Sequence, residues 1–507
     1  MRARLGGRSR ESAVRDGALA LVVLLIAALY AAAARRLPVG VLNDDAAHVL
    51  LARSLWSGSY SFPGGLGSPE EFLPAFPLLL AVPVRLVAPH WDLLRAVPLA
   101  FAGLCLLLTW RLARRFLGVE ASAAVVLLTA LNPVVLCLAG LVMPYLPYLA
   151  LSLALIDGAG AESGRPLAWL AAGAALAPLL RPQGAVLVVC LALAQWHRRG
   201  PRRAGAFLAA ALAPALAWTL RNHLRAGSSL DYVDTWWTHV AAVGDAPSTA
   251  RVSAILSSIY CPAVLMVPGL AGPVKAAVGA AALALAVLGA RRLLMTRADP
   301  RVFVLAAYLA GMTSLHLTWN WINSRYAIPF VPLLWILIAA FAADALPRGR
   351  AARGLLAALF AALALRLDVY CARIGLKGEA RFQPKTMEWI RANVPASARL
   401  ASLKPYSVAL LTGRECAPQK LFPRVGPSAE LARRAGVGYL HVVLPRPDDE
   451  FVVPGVPAGY QPSFARGLDA QPEWTQVYRE LDEGALVYRL DVPARASDPG
   501  RSSRSVP

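Results

Sequence analysis

The residues best suited to do chemistry stand near the amino terminus, in Leu42-Asn43-Asp44-Asp45-Ala46-Ala47-His48-Val49-Leu50-Leu51-Ala52-Arg53-Ser54-Leu55. Two adjacent carboxylates at a membrane surface repel each other and pay for desolvation. One reading makes them helix-start acids, with Asn43 or Asp44 as the cap and Asp45 at the positive end of the dipole. The other makes them working groups: a carboxylate that takes a proton from a hydroxyl nucleophile, or one that ligates a divalent cation. A helix over 44–56 puts His48, Ala52 and Leu55 on one face with Asp45, within reach of the carboxylates. A second acidic pair, Glu70-Glu71, precedes Phe72-Leu73-Pro74-Ala75-Phe76-Pro77. It is either a solvated loop or the other half of one substrate or cation site with Asp44 and Asp45.

Basic groups form the second constellation. Arg181 sits in Leu180-Arg181-Pro182-Gln183-Gly184, Arg221 precedes Asn222-His223, and Arg325 sits in Asn323-Ser324-Arg325-Tyr326-Ala327-Ile328-Pro329. A single arginine at the end of an apolar run reads as a snorkelling side chain. Three on the carboxylate side suit an anionic lipid phosphate, which guanidinium groups bind through paired hydrogen bonds. His239 and His316 stand alone and read as polar contacts. There is no His-x-x-x-His, no nucleotide loop of Walker or Rossmann type and no Gly-x-Ser-x-Gly. The absent nucleotide motifs argue against a soluble nucleotide ligand held by a Rossmann domain.

The elements that position these groups follow from composition. The 507 residues are 57% hydrophobic and 16% charged, with mean hydropathy +0.52. A soluble domain has about a quarter of its residues charged, so a soluble enzyme, a disordered chain and a collagen-like chain are excluded. The apolar runs are continuous and approach the ~20 residues of a membrane-crossing helix, which argues against a β-barrel. Candidate spans cover 17–34, 97–110, 121–138, 144–157, 167–180, 184–196, 204–220, 274–290, 302–318, 327–345 and 354–367. The first follows five arginines and is too long for a signal-peptide core, so it reads as an uncleaved span. Two proline-containing stretches, Leu73 to Ala88 and Ser253 to Gly272, read as interfacial or re-entrant helices along the outer surface. Counting them as crossings gives thirteen rather than eleven.

Arginine placement orients the spans. The segments 1–16, 111–120, 158–166, 197–203, 291–301 and 346–353 hold 20 Arg in 61 residues, against 10 Arg in 131 residues for the short segments opposite. That fourfold difference in density puts the amino terminus in the cytoplasm and the carboxyl terminus outside. It also accounts for most of the +21 charge. With no basic-aromatic groove or nucleic-acid motif, nucleic acid is not a partner.

From Asp368 the apolar runs shorten. Pro384 to Asn393 reads as an amphipathic helix, Leu400 to Leu403 and Val437 to Leu444 as strands, and Ser428 to Ala435 as a helix. A hairpin closes around Asp482-Glu483-Gly484. The fold class is an all-α polytopic membrane protein with a small C-terminal periplasmic α/β domain. A transmembrane catalytic domain covers 1–367, with a first periplasmic loop over 35–96. The α/β domain covers 368–493 and a disordered tail 494–507. Cys371 and Cys416 can pair if that domain faces an oxidising compartment.

These motifs resemble the GT-C superfamily of integral-membrane glycosyltransferases, in particular protein O-mannosyltransferases, lipid A aminoarabinose transferases and rhizobial lipopolysaccharide-core transferases. Asp44, Asp45, His48, Ala52 and Leu55 match the family's acidic pair, aromatic, Ala and Leu, with Asp45 in place of Glu and His48 in place of Tyr. Leu73-Pro74-Ala75-Phe76-Pro77-Leu78-Leu79-Leu80 echoes its Pro-Pro-x-Tyr-Pro-Leu-Leu-Leu turn, with Leu73 for the first Pro. Arg181-Pro182-Gln183-Gly184 echoes Arg-Pro-Glu-Gly, and Arg325, Tyr326, Pro329 and Pro332 meet Arg-Tyr-x-x-Pro-x-x-Pro in full. The likeness extends to Trp389-Ile390-Arg391-Ala392-Asn393-Val394-Pro395, Lys404-Pro405-Tyr406 and Leu411-Thr412-Gly413-Arg414. It implies inverting transfer of a sugar from a polyprenyl-phosphate donor, at the periplasmic face of the inner (plasma) membrane, to a glycan, lipid or protein acceptor. Asp44 is then the general base, Asp45 its support or a cation ligand, and Arg325 and Tyr326 with Arg181 or Arg221 the phosphate clamp. A transporter or flippase of an anionic lipid is the alternative. It favours charges at mid-membrane and internal repeats, whereas here the polar residues gather at one face. An O-antigen ligase would carry its largest catalytic loop later in the chain.

Overall fold

Alanine and leucine, the strongest helix formers, dominate the apolar runs. The runs accordingly become helices that break at Pro, Gly and Arg. The computed structural model describes residues 23–35, 37–64, 66, 69–70, 72–160, 165–226, 248–265, 270–318, 324–345, 383–418, 429–444 and 460–491. It divides into two compact units, one of 1–39, 55–58 and 69–376, the other of 40–54, 59–68 and 377–507.

The first unit is helical. Among the described residues, Trp91–Phe116, Pro201–Arg225, Gly272–Thr296 and Pro300–Thr318 are long and apolar enough to cross a membrane. Shorter apolar helices occupy Val23–Arg35, Tyr145–Gly158, Ala168–Leu180 and Phe330–Ala343, and Gly184–Arg199 forms another helix. The expected span over 354–367 lies outside the described residues.

The expected span over 121–138 is not one continuous helix. It is Val119–Ala130 followed by Pro133–Ala139, bent by 59°. Pro133 cannot continue the first helix but suits the first position of the second. The Asn132 side chain accepts from the Val134 amide (2.9 Å) and donates to the Pro262 carbonyl (2.9 Å).

Of the two proline-containing stretches, the first forms a helix at Ala75–Val87. Leu78, Val82 and Leu86 make an exposed stripe on it, as a helix lying at an apolar surface requires. The second is buried in its middle, with 266–269 outside the described residues. Ile259, Tyr260, Cys261 and Ala263 are buried inside the unit, in a π-turn and the short helix that follows.

The arginine-rich connections also do structural work. Buried Asp157 receives Arg111 (2.6 Å), Arg115 (3.1 Å) and Arg301 (3.6 Å). Arg297 donates to the carbonyls of Arg115 (2.7 Å) and Phe116 (3.2 Å) at the end of the 96–116 helix, where positive charge is favoured.

The second unit is built on a mixed sheet of β1 (Arg399–Ser402), β2 (Glu415–Pro418), β3 (Val437–Val443), β4 (Trp474–Glu480) and β5 (Ala485–Leu490). The order is β2-β1-β3-β5-β4, with β1 parallel to β2 and β3, and β5 antiparallel to β3 and β4. Leu440, Val442, Leu468, Trp474, Leu486 and Tyr488 centre its core. The expected helix at 384–393, two strands and hairpin are present. Sequence reading missed the helices Pro405–Thr412 and Tyr460–Asp469 and strand β2. Cys416 is a buried free thiol in β2, and Cys371 lies outside the described residues.

Two helices of this unit begin with Pro and have no side-chain cap from the preceding residue. Their first amides are satisfied from far away. Glu483 accepts from the Lys385 and Thr386 amides (2.9 Å each) and the Thr386 hydroxyl (2.6 Å). Asn43 does the same for the helix at 405–412. A side-chain cap is worth about 1 kcal/mol, so each contact couples distant sequence to a helix start.

Candidate active site

The acidic pair opens the helix Asp44–Ser54, and its two members have different surroundings. Asp45 is fully buried. Its Oδ2 accepts from the Gly40 amide (2.7 Å), and its Oδ1 accepts from Leu42 (3.2 Å) and Ala46 (3.0 Å). The chain from 40 to 46 thus wraps around one carboxylate. Burial pushes the Asp45 carboxyl up to about 6; the backbone donors and Lys404 oppose this, and the charge of Asp44 adds to it. Asp44 is only half-buried. Asp45 is therefore a group that shapes the turn, and Asp44 is the more exposed of the two.

The turn needs two left-handed residues, Gly40 (φ 98°) and Asn43 (φ 74°), of types that accept this conformation. A Cβ on Gly40 would also press on Leu411 at 3.1 Å. Asn43 does not cap its own helix as the sequence suggests. Its Oδ1 accepts from the amides of Tyr406 (3.0 Å) and Ser407 (3.3 Å). His48 is buried one turn beyond Asp44.

The basic constellation lies in the helical unit. A small cleft, with an enclosed space of about 10 Å3, is lined by Tyr145, Arg181, Gln183, Arg325, Tyr326 and Pro329 among others; this is room for about one water. Arg181 comes from the turn between the helices 165–180 and 184–199. Its guanidinium lies 4.0 Å from the centre of the Tyr145 ring and 5.8 Å from that of Tyr326, and its Nε donates to Gln183 Oε1 (3.2 Å). The turn is tight because position 184 is glycine: a Cβ there would overlap the Ala177 carbonyl. Arg325 and Tyr326 come from a single 3-10 turn, with the Arg325 guanidinium 5.6 Å from the Tyr326 ring. Tyr326 rests edge-on against His316, whose Nδ1 donates to the Met312 carbonyl (2.6 Å). Behind the cleft, the hydroxyls of Tyr148 and Tyr308 share a hydrogen bond of 2.7 Å.

Of the expected site residues, Arg181, Arg325 and Tyr326 come together. Arg221 is not among the cleft residues; its guanidinium lies 4.4 Å from the Trp218 ring centre, and its Nη1 donates to Asn222 (2.8 Å). Glu70 is half-buried and belongs to the helical unit, whereas Asp44 and Asp45 belong to the other. Glu71 and His239 lie outside the described residues. Sequence reading missed Tyr145 and Tyr148, although Pro144-Tyr145-Leu146-Pro147-Tyr148 was a signal: two tyrosines one turn apart, with prolines, at the mouth of an apolar run. Among the described residues no group of three or more His, Cys, Asp or Glu is arranged to hold a metal ion.

A mostly helical unit with several apolar helices and a small C-terminal sheet give a fold like that of solved GT-C membrane glycosyltransferases. The particular likeness is to ArnT, an aminoarabinose transferase, from Cupriavidus metallidurans. Its structure bound to undecaprenyl phosphate matches with TM-score 0.57 and 12% identity over 94% of this chain and 99% of that one; the apo form matches with TM-score 0.58 and 12% identity over 94% and 100%. The Archaeoglobus fulgidus oligosaccharyltransferase tethered to an acceptor peptide matches with TM-score 0.50 and 11% identity over 78% of this chain and 64% of that one. No family model and no curated protein matches the sequence. At these identities the likeness speaks for the fold.

Proposed function

We propose that the protein is an inverting glycosyltransferase of the bacterial inner membrane, with about eleven crossings, its amino terminus cytoplasmic and its α/β domain periplasmic. It moves a sugar from a polyprenyl-phosphate donor to a glycolipid, polysaccharide or protein acceptor at the periplasmic face. The observation that carries this reading is the pairing of Arg181 and Arg325 around one tyrosine-lined cleft. Two fixed guanidinium groups suit a phosphate monoanion or diester, and the aromatic walls suit its apolar surroundings. The GT-C fold and the undecaprenyl phosphate in ArnT support the same donor class.

In this mechanism an acceptor hydroxyl oxygen attacks the anomeric carbon. Asp44 takes the hydroxyl proton as the new carbon–oxygen bond forms. The bond from the anomeric carbon to the phosphate oxygen breaks on the opposite side, and its electron pair leaves with the polyprenyl phosphate. Arg181 and Arg325 hold that growing negative charge, with Tyr326 between them. Asp45 has both oxygens committed to the backbone, so it fixes the turn that presents Asp44.

The test is sugar transfer from a polyprenyl-phosphate-sugar donor in membranes, comparing wild type with Asp44→Asn. The proposal expects a loss of about 10²–10⁴-fold in the variant, the range of a general base. Equal rates at equal protein levels would remove Asp44 from the reaction.

A further inference from the structure

The C-terminal domain is joined to the carboxylate turn by contacts that no sequence motif announces. Lys404 Nζ donates to the Val41 carbonyl (3.1 Å). Asn43 supplies the cap for the 405–412 helix, and Ser407 Oγ donates back to the Gly40 carbonyl (2.6 Å). The rings of Phe62 and Tyr406 lie 4.6 Å apart. Lys404 is itself aimed from inside the domain. Its amide donates to Ser402 Oγ (2.9 Å), and that hydroxyl is bonded to His441 Nδ1 (2.9 Å), with Ser402 and His441 both fully buried on neighbouring strands.

The exchange is reciprocal. The 405–412 helix begins at Lys404-Pro405, where the Lys404 side chain makes no cap, so the helix start depends on Asn43. The turn in its own right contains two left-handed residues within four positions. Such a backbone persists only when its surroundings over-determine it, and the groups that do so are Asp45 from within the turn and the residues from Lys404 to Leu411. Apart from the Phe62–Tyr406 ring pair, these contacts touch the chain between Gly40 and Asn43, directly before Asp44.

We propose that the C-terminal domain is a positioning device for the reaction, in which Lys404 and Asn43 lock the turn 40–43 and thereby set the orientation of Asp44. This rests on the glycosyl-transfer reading above. Lys404 and Asn43 are positioning residues: they act through the backbone of the turn and not on the substrate.

The experiment uses the full chain in lipid nanodiscs. Asn43→Gly keeps the left-handed backbone and removes the cap. Lys404→Met removes the bond to Val41, and Lys404→Arg keeps a donor. Amide hydrogen exchange is followed in 40–48 and 404–412, with 437–443 and 485–490 as the internal control, alongside kcat and KM for a polyprenyl-phosphate-sugar donor. In Asn43→Gly and Lys404→Met, exchange is expected to rise about tenfold in both test stretches together, with the control strands unchanged. The same variants should lose about tenfold in kcat with donor KM within about twofold, and Lys404→Arg should recover most of kcat. Unchanged exchange, or faster exchange with unchanged kcat, overturns the proposal, as does loss of protection in the control strands, which marks simple unfolding. If wild type transfers no sugar, the glycosyl-transfer reading fails, and the exchange arm alone decides whether the domain holds the turn.

Discussion

The guanidinium carbon of Arg181 lies 4.0 Å from the centre of the Tyr145 ring, close enough for a cation–π contact that fixes the plane of the arginine. The same group holds Gln183 through Nε, so its remaining N–H donors are presented in one direction. A planar stacked arginine is not replaced by lysine. Arg181→Lys is expected to raise the donor KM about tenfold, measured as initial rates against donor concentration. Tyr145→Phe keeps the ring face and should stay within about twofold, and Tyr145→Leu should resemble Arg181→Lys. Equal KM values in all three would remove this pair from donor binding.

The two carboxylates separate in their effects. Asp44→Asn should lower transfer about 10²–10⁴-fold and leave thermal stability near that of wild type. Asp45→Asn should destabilise the protein, because one amide can accept on only one side and turns an N–H donor toward another donor. An unsatisfied buried group costs about 1–3 kcal/mol. Thermal melting in detergent beside the transfer assay distinguishes the two, and a stable, active Asp45→Asn would contradict the hydrogen bonds around it.

The pH dependence of that difference has a fixed sign. Burial raises the Asp45 carboxyl from 3.8 to about 6, so the folded protein keeps this proton to higher pH than the unfolded chain. The contribution to stability is present below 3.8 and lost as pH rises through about 6, about 3 kcal/mol in all. Asp45→Asn has no such titration. The gap in melting temperature between wild type and Asp45→Asn should therefore narrow from pH 4 to pH 7. Buried His441 is held down at about 3, first by desolvation and then by Lys404. Its effect runs the other way, with stability present above 6.5 and lost as pH falls toward 3. Because His441 is in both proteins, it drops out of the difference.

Gly184 tests the local geometry of the arginine turn. Gly184→Ala forces a methyl group into the Ala177 carbonyl and must open the turn that carries Arg181. A lower melting temperature and a raised donor KM are expected together. An alanine variant with wild-type values in both would show that the turn has more room than its backbone indicates.

Asp157 joins three helices through Arg111, Arg115 and Arg301. Asp157→Asn leaves Arg111 and Arg115 without their carboxylate, whereas Arg301 keeps Asp299 (3.2 Å) and its bond to the Asp157 carbonyl (2.7 Å). Arg111 and Arg115 are 62% and 42% exposed and screened by solvent, so the loss is modest. The variant should melt slightly lower with kcat unchanged, and Arg301→Gln, which also gives up Asp299 and the Asp157 carbonyl, should melt lower still.

The sequence was informative wherever a property is local or additive. Apolar runs of Ala and Leu specify helices because propensity and burial act residue by residue. Arg325 and Tyr326 could be read together because they are adjacent on one turn. Arg181 could be grouped with them only through span topology and the resemblance, since 144 positions of chain separate it from Arg325.

What the sequence by itself determined is the class of molecule and the types of group available: a protein of several apolar helices, an acidic pair near the amino terminus, and arginines at the ends of apolar runs. Tertiary structure decided which of those groups are committed. Asp44 and Asp45 are the same residue type at neighbouring positions, and only the path of the chain from Gly40 to Ala46 makes one a buried anchor and leaves the other half-open. Asn43 looks like the cap of the helix it precedes, yet it caps the helix at 405–412. The physical reason is the same in both cases. A hydrogen-bonding side chain is claimed by whichever donors folding brings within 3 Å or so: for Asp45 the amides of its own turn, and for Asn43 those of Tyr406 and Ser407, 363 and 364 positions away, which no local pattern encodes.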